Sequence, residues 1–426
     1  NDPYQLFEQL CESYGRYYES AFDVRDDAIA RERRAMLMAE GVLFREPYVE
    51  LMPRYVSSER TVAQAVGELG LSPDSAGFID LGLFPSQRSL HQHQWDAWRL
   101  SESGRNVIVT SGTGSGKTEA FLIPTVARLL EESVHWEDVR NPPARPWWQT
   151  GNAWQPLRDH EERPPAVRAL VLYPMNALVE DQQMRLRRAL DSSAARSWLD
   201  EHRGGNRFYF GRYTGRTQVS GPRPPNVKPQ KLLEQREVMR RAERSFGSAS
   251  GSRRLYFSDP TGAEMLTRWD MQVHPPDILI TNYSMLNIML MRDNEEPIWE
   301  RTRAWLEADA RHLFTLIVDE LHSYRGTAGT EVALILRNLF ARLGLWERPD
   351  QLRIIAASAS LNNDPSGKAY AAQFFGLPAD SFEIITGQRV LPTTAAQNLS
   401  PHAAAFTAFL AREDTYAAEA EARQIA

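Results

Sequence analysis

The sequence of 426 residues contains few lysines, almost no cysteine and no long apolar segment. Only four of its 49 basic residues are lysines, which leaves 45 arginines. The single cysteine, Cys11, excludes an internal disulfide and favours a reducing compartment such as the cytoplasm. No apolar stretch approaches the roughly 20 residues of a membrane-spanning helix, so we expect no membrane partner.

The net charge is too small to decide the class of partner. The 49 basic and 55 acidic residues give −6, which provides no general affinity for nucleic acid or anionic lipid. A polyanion must therefore bind at a local patch or at backbone amides. With 42% apolar residues the chain can form the cores of two or three domains. It starts without methionine and ends in an alanine-rich helical pattern, so we expect a piece of a longer protein.

Short apolar runs alternate with helical patterns between about residues 84 and 391. Seven runs predict β-strands: NVIVTS at 106–111, ALVLYP at 169–174, FYFGRYTG at 208–215, DILITN at 277–282, FTLIVDE at 314–320, RIIAASAS at 353–360 and EIITG at 383–387. Continuous apolar strands separated by helices indicate an α/β, doubly wound domain with a mainly parallel sheet and helices on both faces. Residues 1–83 predict a mostly helical accessory segment, and residues 392–426 a helical linker or the start of an insertion.

Two stretches interrupt this alternation. Residues 133–167 are rich in proline and tryptophan, and residues 218–275 join a proline-rich run to a charged helical pattern. Both are predicted to be insertions outside the sheet, where long loops are tolerated and can carry binding. The arginines of 234–254 would either widen a contact with nucleic acid or form a solvated helix face of mixed charge.

The stretch SGTGSGKT, residues 111–118, lies between a predicted strand and a predicted helix. This context is typical of a P-loop, in which glycines let successive N–H groups point at a phosphate. Lys117 would bind the β- and γ-phosphates and Thr118 would bind Mg²⁺. A compact ammonium suits that cradle better than a planar guanidinium, which explains a lysine in an arginine-rich chain. The expected ATP-binding residues of the loop are Gly112, Thr113, Gly114, Ser115, Gly116, Lys117 and Thr118.

A P-loop is common to kinases, GTPases and motors, so a second motif must decide among them. In FTLIVDELHSYRG a predicted strand ends at Asp319 and Glu320, at the carboxyl edge of the sheet, where ligands of such folds bind. Asp319 would hold Mg²⁺ directly or through water. Glu320 would orient and deprotonate the attacking water.

The motifs SGTGSGKT, YPMNALVEDQ, TNYSML, DELH and SAS, in this order, resemble those of the first RecA-like domain of superfamily 2 DExH-box helicases. More narrowly, YPMNALVEDQ and DELHSYRGTAGTEVALILRNL resemble the bacterial subgroup of large helicases found in DNA repair and in phage-defence systems such as DISARM and Druantia. The resemblance implies a RecA-like fold, ATP and Mg²⁺ as cofactors, and the activity of an ATP-dependent DNA helicase or translocase.

The resemblance also implies roles for further residues. Gln94, with Gln92 close by, would bind adenine, since an amide both donates and accepts hydrogen bonds. His322, beside the catalytic Asp319 and Glu320, would link the nucleotide to the coupling residues Ser358 and Ser360. Contacts with the backbone of one DNA strand, single or part of a forked duplex, are implied for Pro174, Asn176, Thr214, Gly215, Thr281 and Asn282. Such small polar residues bind phosphates without distinguishing bases, so the binding would be sequence-independent.

A complete motor of this family has a second RecA-like domain that brings arginines to the γ-phosphate, and no such motif follows residue 390. We therefore expect this chain alone to bind ATP but to hydrolyse it poorly. Two alternatives stay open. One is a translocase that moves along duplex DNA without separating the strands, and the other is an ATP-gated scaffold that binds further proteins of a defence complex.

Overall fold

The computed structural model describes residues 3–22, 24, 26–39, 41–45, 54–112, 114–140, 145–150, 153–174 and 177–390. The chain forms two compact units, Asn1–Pro53 and Arg54–Ala426. The predicted linker at 392–426 lies outside the described residues. No helix in the described ranges has the length and apolar character that a membrane crossing requires.

The first unit contains two helices, α1 (Pro3–Ala21) and α2 (Asp27–Leu37). Helix α2 begins after Asp26, whose carboxylate accepts hydrogen bonds from the next free N–H groups and so caps the helix. Arg34 of α2 forms ion pairs with Glu12 and Glu19 of α1 at 2.9 and 2.6 Å. The prediction of a helical N-terminal segment is confirmed.

The second unit is organised around one eight-stranded sheet. Its strands are β1 (Asn106–Thr110), β2 (Ala169–Tyr173), β3 (Phe210–Tyr213), β4 (Glu264–Met265), β5 (Ile278–Asn282), β6 (Phe314–Val318), β7 (Leu352–Ser358) and β8 (Phe382–Thr386). The strand order is β4-β3-β5-β2-β6-β7-β1-β8, and every neighbouring pair is parallel. All seven predicted strands are present. The two-residue edge strand β4 is additional and comes from the second inserted stretch.

Helices lie around this sheet. They are α3 (Val62–Leu69), α4 (Asp74–Asp80), α5 (Gln92–Glu102), α6 (Lys117–Ser133), α7 (Trp147–Thr150), α8 (Ala177–Leu190), α9 (Ser193–His202), α10 (Pro229–Ser248), α11 (Arg268–Val273), α12 (Tyr283–Met291), α13 (Glu296–Ala308), α14 (Gly326–Arg342) and α15 (Pro365–Phe375). Every residue of β1, β2 and β6 is buried, which requires cover on both faces of the sheet. The RecA-like, doubly wound fold is thus confirmed.

The two inserted stretches pack against each other. Trp147 and Trp148 of α7, from the first stretch, form a small apolar cluster with Met239 of α10, from the second. The Trp148 indole N–H also donates to the Glu243 carboxylate at 3.2 Å. One face of the charged helix α10 is therefore held by tryptophans.

Candidate nucleotide and nucleic-acid sites

The three predicted nucleotide motifs meet at the carboxyl edge of the sheet because of the strand order. β7 lies between β6 and β1, so the ends of these three strands are adjacent. The P-loop follows β1, the Asp319–Glu320 pair follows β6, and Ser358 ends β7. The Ser111 N–H donates to the Ser358 carbonyl oxygen at 3.1 Å, which joins the first residue of the P-loop to β7.

The backbone of the P-loop requires glycine at two positions. Gly114 and Gly116 have φ angles of +71° and +78°, in the left-handed region that favours glycine. A Cβ at Gly116 would also lie 2.3 Å from the side-chain nitrogen of Gln94. The Ser111 and Ser115 hydroxyls are 2.6 Å apart and close the loop. Thr113 lies outside the described residues.

Lys117 begins α6 and extends back over the loop. Its ammonium donates to the Ser111 carbonyl oxygen at 3.1 Å and lies 4.0 Å from the Glu320 carboxylate. The side chain is only 11% exposed, so this charge is poorly screened by water. Lys117 and Glu320 are therefore brought to one place, as the motifs predict.

Asp319 is the more buried of the two adjacent carboxylates. Burial raises its pKa to about 6, although Lys117 and the N–H of Glu320, which donates to Asp319 Oδ1 at 2.9 Å, oppose the rise. Among the described residues no other hydrogen bond to this carboxylate is formed. Thr118, at the start of α6, presents a hydroxyl that accepts from the Gln182 amide at 3.4 Å. A buried carboxylate that forms no ion pair among the described residues, with a hydroxyl in the neighbouring motif, fits the oxygen ligands that Mg²⁺ prefers.

Glu320 has an unusual backbone conformation. Its φ and ψ angles are +51° and +45°, which an L-residue with a side chain adopts only at a cost in free energy. This turn directs the Glu320 carboxylate towards both Lys117 and His322. Strain of this kind, held by the surrounding fold, is common at functional sites.

His322 connects the DELH motif with the SAS motif. Its Nδ1 lies 3.1 Å from the Ala359 N–H and 3.3 Å from the Glu320 carboxylate. A neutral Nδ1 accepts from Ala359, whereas a protonated one donates to Glu320, so the two contacts are alternatives. The neighbouring Ser360 hydroxyl accepts a hydrogen bond from Arg325 at 2.8 Å.

Gln94 lies beneath the P-loop and is only 3% exposed. Its Nε2 donates to the Gly116 carbonyl oxygen at 3.0 Å, and its Oε1 accepts from the His91 N–H at 2.8 Å. A side-chain amide has two N–H groups and two oxygen lone pairs, so one N–H and one lone pair of Gln94 remain for a further partner. Gln92 instead donates to Asp96, at 3.1 Å, on its own helix. The adenine-binding role of Gln94 stays a prediction.

His93 also supports the P-loop and was not predicted from the sequence. It is 2% exposed, and its Nε2 lies 2.9 Å from the Ser115 carbonyl oxygen. Burial lowers its pKa to about 4, so the ring is neutral near pH 7 and donates its Nε2–H to Ser115. The only hint of this role in the sequence is that His93 directly precedes Gln94. That position does not reveal that His93 contacts Ser115 in the distant P-loop.

Tyr55 and Arg389 border the other side of the loop. A Cβ placed on Gly112 would lie 3.1 Å from the Tyr55 hydroxyl and 3.1 Å from an Arg389 guanidinium nitrogen. Tyr55 is 6% exposed, and its hydroxyl has no hydrogen-bond partner in the part of the chain that the structure describes. No sequence motif surrounds either residue. Their closeness to the P-loop is seen only in the structure, where Tyr55 and Arg389 form an isolated antiparallel β-bridge.

The predicted strand-binding residues lie on the other half of the same edge. Pro174 follows β2, Thr214 and Gly215 follow β3, and Thr281 and Asn282 end β5, and these strands are neighbours in the order β3-β5-β2. Asn176 lies outside the described residues.

Their side chains differ in exposure. Thr214 and Thr281 are buried, and the Thr281 hydroxyl donates to the Tyr213 carbonyl oxygen at 2.7 Å. Asn282 caps α12 by accepting from the Met285 N–H at 2.8 Å, whereas Gly215 is exposed. The two threonines thus shape the loops, and a ligand at this edge would meet Gly215 and backbone groups.

Comparisons with known proteins agree with these motifs. Residues 91–207 match the model of the DEAD/DEAH box helicase family. The chain is 33% identical over 430 residues to the Druantia protein DruE of Escherichia coli strain UMEA 4076-1, which covers 89% of this chain and 22% of that protein. The chain thus spans about a fifth of the length of this curated relative.

Solved structures of helicases are also similar. The DUF1998 helicase MrfA bound to DNA matches with a TM-score of 0.43 and 18% identity, over 84% of this chain and 34% of MrfA. The DEAD-box helicase Mss116 bound to ssRNA and UDP-BeF matches with a TM-score of 0.43 and 14% identity, over 79% of this chain and 47% of Mss116. Residues 91–207 are thus similar to the DEAD/DEAH box helicase family, and the matched stretch contains the P-loop and the YPMNALVEDQ motif.

Proposed function

We propose that this chain is the N-terminal ATP-binding portion of an ATP-dependent DNA helicase or translocase of bacterial anti-phage defence or DNA repair. The observation that carries the proposal is the convergence of Lys117 and Glu320, whose charged atoms lie 4.0 Å apart at the carboxyl edge of the sheet. Similarity to a Druantia protein supports the defence context.

The nucleotide would bind along the P-loop. Lys117 and the loop amides would hold the β- and γ-phosphates, and Thr118 and Asp319 would hold Mg²⁺. When bound, Mg²⁺ neutralises charge on the phosphate oxygens. Gln94 would present its remaining N–H and lone pair to adenine while it still holds Gly116.

Glu320 would orient the attacking water and accept its proton. Once Glu320 has accepted this proton, its O–H can donate to the unprotonated Nδ1 of His322 in competition with the Ala359 N–H. Because Ala359 lies between Ser358 and Ser360, this exchange would pass a change at the phosphates to the end of β7. The same strand end holds Ser111 of the P-loop, so both sides of the nucleotide site would respond.

Nucleic acid would bind across the ends of β2, β3 and β5. Pro174, Asn176, Gly215 and Asn282 would contact the backbone of one DNA strand, and Thr214 and Thr281 would shape the loops from within. Contacts of this kind leave the base edges unread, so binding would be independent of sequence. The nucleotide and strand-binding motifs share one sheet edge, which couples them mechanically.

We assign the ATP-binding domain to residues 84–391, with insertions at about 133–167 and 218–275. Residues 1–83 would be an accessory segment and residues 392–426 would lead towards a second RecA-like domain in the whole protein. Arginines from such a domain accelerate phosphoryl transfer by about 10³- to 10⁵-fold where measured. The chain alone would therefore bind ATP and hydrolyse it slowly.

Steady-state ATP hydrolysis by the full-length protein, with single-stranded, forked and duplex DNA, tests this function. We expect stimulation by DNA, loss of turnover with Glu320→Gln, and displacement of a labelled strand from the fork. Stimulation by duplex without displacement would instead identify a duplex translocase. Nucleotide binding without any stimulation by DNA would contradict the proposal and favour the scaffold.

A further inference from the structure

The second inserted stretch forms a positively charged cleft beside the predicted strand-binding edge. The cleft has a volume of about 360 Å³ and lies between β3, α8, α10 and the segment 256–258. Four arginines line it, and Glu264 is the only acidic residue of the lining. They are Arg187, Arg212, Arg216 and Arg241. In a chain with a net charge of −6, this is a local patch of the kind that a polyanion requires.

Two of these arginines are available to a ligand. Arg187 is held by Glu264 at 2.7 Å, and Arg212 forms an ion pair with Glu180. Arg216 and Arg241 are exposed, and within the described part of the chain their side chains form no ion pair and no hydrogen bond. Two unneutralised guanidinium groups at one cleft favour the binding of phosphates.

Helix α10 contributes positive charge to the lining of the cleft. Val238, Arg241, Ala242 and Ser245 line the cleft and are spaced three and four apart, so they share one side of the helix. Arg241 is the charged residue among them. Glu234, one turn before Val238, lies on the same side but outside the lining, where it accepts a hydrogen bond from Gln230 at 3.3 Å.

Exposed aromatic rings lie at the same cleft. Tyr256 is 68% exposed and Phe257 is 42% exposed, and both belong to the lining. Exposed rings next to arginines stack on unpaired bases, whereas paired bases in a duplex offer no such faces. The ring chemistry thus favours a single strand over duplex DNA.

The cleft also continues the predicted strand-binding edge. Arg216 directly follows Gly215, and its N–H donates to the Thr214 hydroxyl at 3.3 Å. A strand that contacts Gly215 would therefore pass next to Arg216 and reach the rings within a few nucleotides.

We propose that Arg216, Arg241 and Tyr256 form an additional binding site for single-stranded nucleic acid, built by the inserted stretch. The two arginines bind backbone phosphates, and the tyrosine ring stacks on a base. This site deepens the proposed function, on which it rests, because it extends the path of the same strand beyond the sheet edge.

Binding of a labelled oligothymidylate to the full-length protein, measured by fluorescence anisotropy at several salt concentrations, tests the site. Joint substitution of Arg216→Ala and Arg241→Ala should reduce the slope of log K against log salt by about 1.4, since each phosphate contact on a single strand contributes about 0.7. Arg301→Ala, at an exposed arginine of α13 outside the cleft, is the matched control and should leave the slope unchanged.

The stacking contact is tested separately. Tyr256→Ala should weaken binding of the oligothymidylate by about 5- to 100-fold, whereas Tyr256→Phe, which keeps the ring, should bind like the wild type. Duplex DNA should lose much less affinity with Tyr256→Ala. Equal losses for duplex and single strand would overturn the stacking contact. Wild-type binding by both Tyr256→Ala and the double arginine variant would overturn the site.

Failure of this site can be distinguished from failure of the proposed function. If oligothymidylate stimulates ATP hydrolysis by the wild-type protein but the cleft variants bind it normally, only the additional site is wrong. If wild-type hydrolysis responds neither to oligothymidylate nor to forked or duplex DNA, the proposed function is wrong as well.

Discussion

The Lys117 ammonium and the Glu320 carboxylate lie 4.0 Å apart, and both side chains are largely removed from solvent. They come from the start of α6 and the end of β6, and the parallel order β6-β7-β1 brings these positions together. An ammonium that faces a carboxylate across a glycine-rich loop forms a cleft with both charges that a magnesium triphosphate requires. The charge pair also gives Lys117 a partner when no nucleotide is bound.

Replacement of Lys117 by alanine should abolish most nucleotide-dependent behaviour. Turnover by the full-length protein should fall by about 10²-fold or more, as for other donors that stabilise transferring phosphate. ATP should also no longer raise the melting temperature, because ligand stabilisation depends on affinity. Both effects are measured by coupled hydrolysis assays and thermal unfolding.

Lys368→Ala is the matched control for this change, since Lys368 forms a surface ion pair with Glu383 at 3.2 Å. It should keep wild-type turnover and the shift in melting temperature with ATP. An unchanged ATP response in Lys117→Ala would contradict the assignment of the phosphate site.

Glu320 should show a trade-off between stability and activity. Its φ of +51° costs about 1–2 kcal/mol for a residue with a side chain, whereas glycine adds about 0.5–1 kcal/mol of chain entropy to the unfolded state. Glu320→Gly should therefore be more stable than Glu320→Ala by roughly 0.5–1 kcal/mol, and neither should hydrolyse ATP. The free energies of unfolding in urea test the first statement. Greater stability of the alanine variant would show that the turn is not strained.

The strands and the nucleotide-binding motifs could be predicted because residues close together in the sequence determine them. β1 and β6 are continuous apolar runs, and the glycines next to Lys117 identify the loop without knowledge of the fold. β4 escaped prediction because Glu264–Met265 has no apolar period, and its place at the edge depends on pairing with β3.

Other features depend on contacts between distant parts of the chain. The hydrogen bond from Gln94 to Gly116 and the border formed by Tyr55 and Arg389 arise only when the sheet is complete. The same holds for the packing of Trp148 against the helix of the second inserted stretch, since a proline-rich segment carries no period that would indicate its partner.

His93 should make the stability of the chain depend on pH. Its pKa is lowered to about 4 by burial, below the usual value of 6.5, so the unfolded state binds more protons between these values. The contribution of His93 to the free energy of unfolding is therefore fully present above about pH 6.5. It is lost as the pH falls towards about 4, and the free energy of unfolding then decreases by up to about 1.4 kcal/mol per pH unit. His93→Gln keeps a donor for Ser115 and does not titrate. Its free energy of unfolding should fall less steeply on acidification, and parallel curves for the two proteins would contradict this prediction.

Asp277 should be among the residues whose loss most destabilises the fold. Its side chain is fully buried and binds the Arg163 guanidinium through two hydrogen bonds at 2.7 and 2.8 Å, and Arg168 at 2.9 Å. Burial alone would raise its pKa, but these two arginines hold the pKa well below the usual range. Asp277→Ala would remove one of two carboxylates from each buried arginine, since Arg163 keeps Glu161 and Arg168 keeps Glu132. It would also take the acceptor from the buried Tyr209 N–H, and we expect a cost of about 3 kcal/mol, at the lower end of the range for a broken buried ion pair.

The ion pair between Asp309 and Arg311 provides the control for Asp277. The distance between Asp309 and Arg311 is 2.6 Å, close to the 2.7 Å between Asp277 and Arg163. Arg311 is 81% exposed, however, so solvent screens the attraction. Asp309→Asn also keeps an oxygen that can accept from the Arg311 N–H, and we expect little change in stability. Urea unfolding measures the loss in Asp277→Ala, and Asp277→Asn beside Asp309→Asn compares the same substitution at two depths. Similar losses from the two substitutions would show that the burial of Asp277 does not govern its contribution.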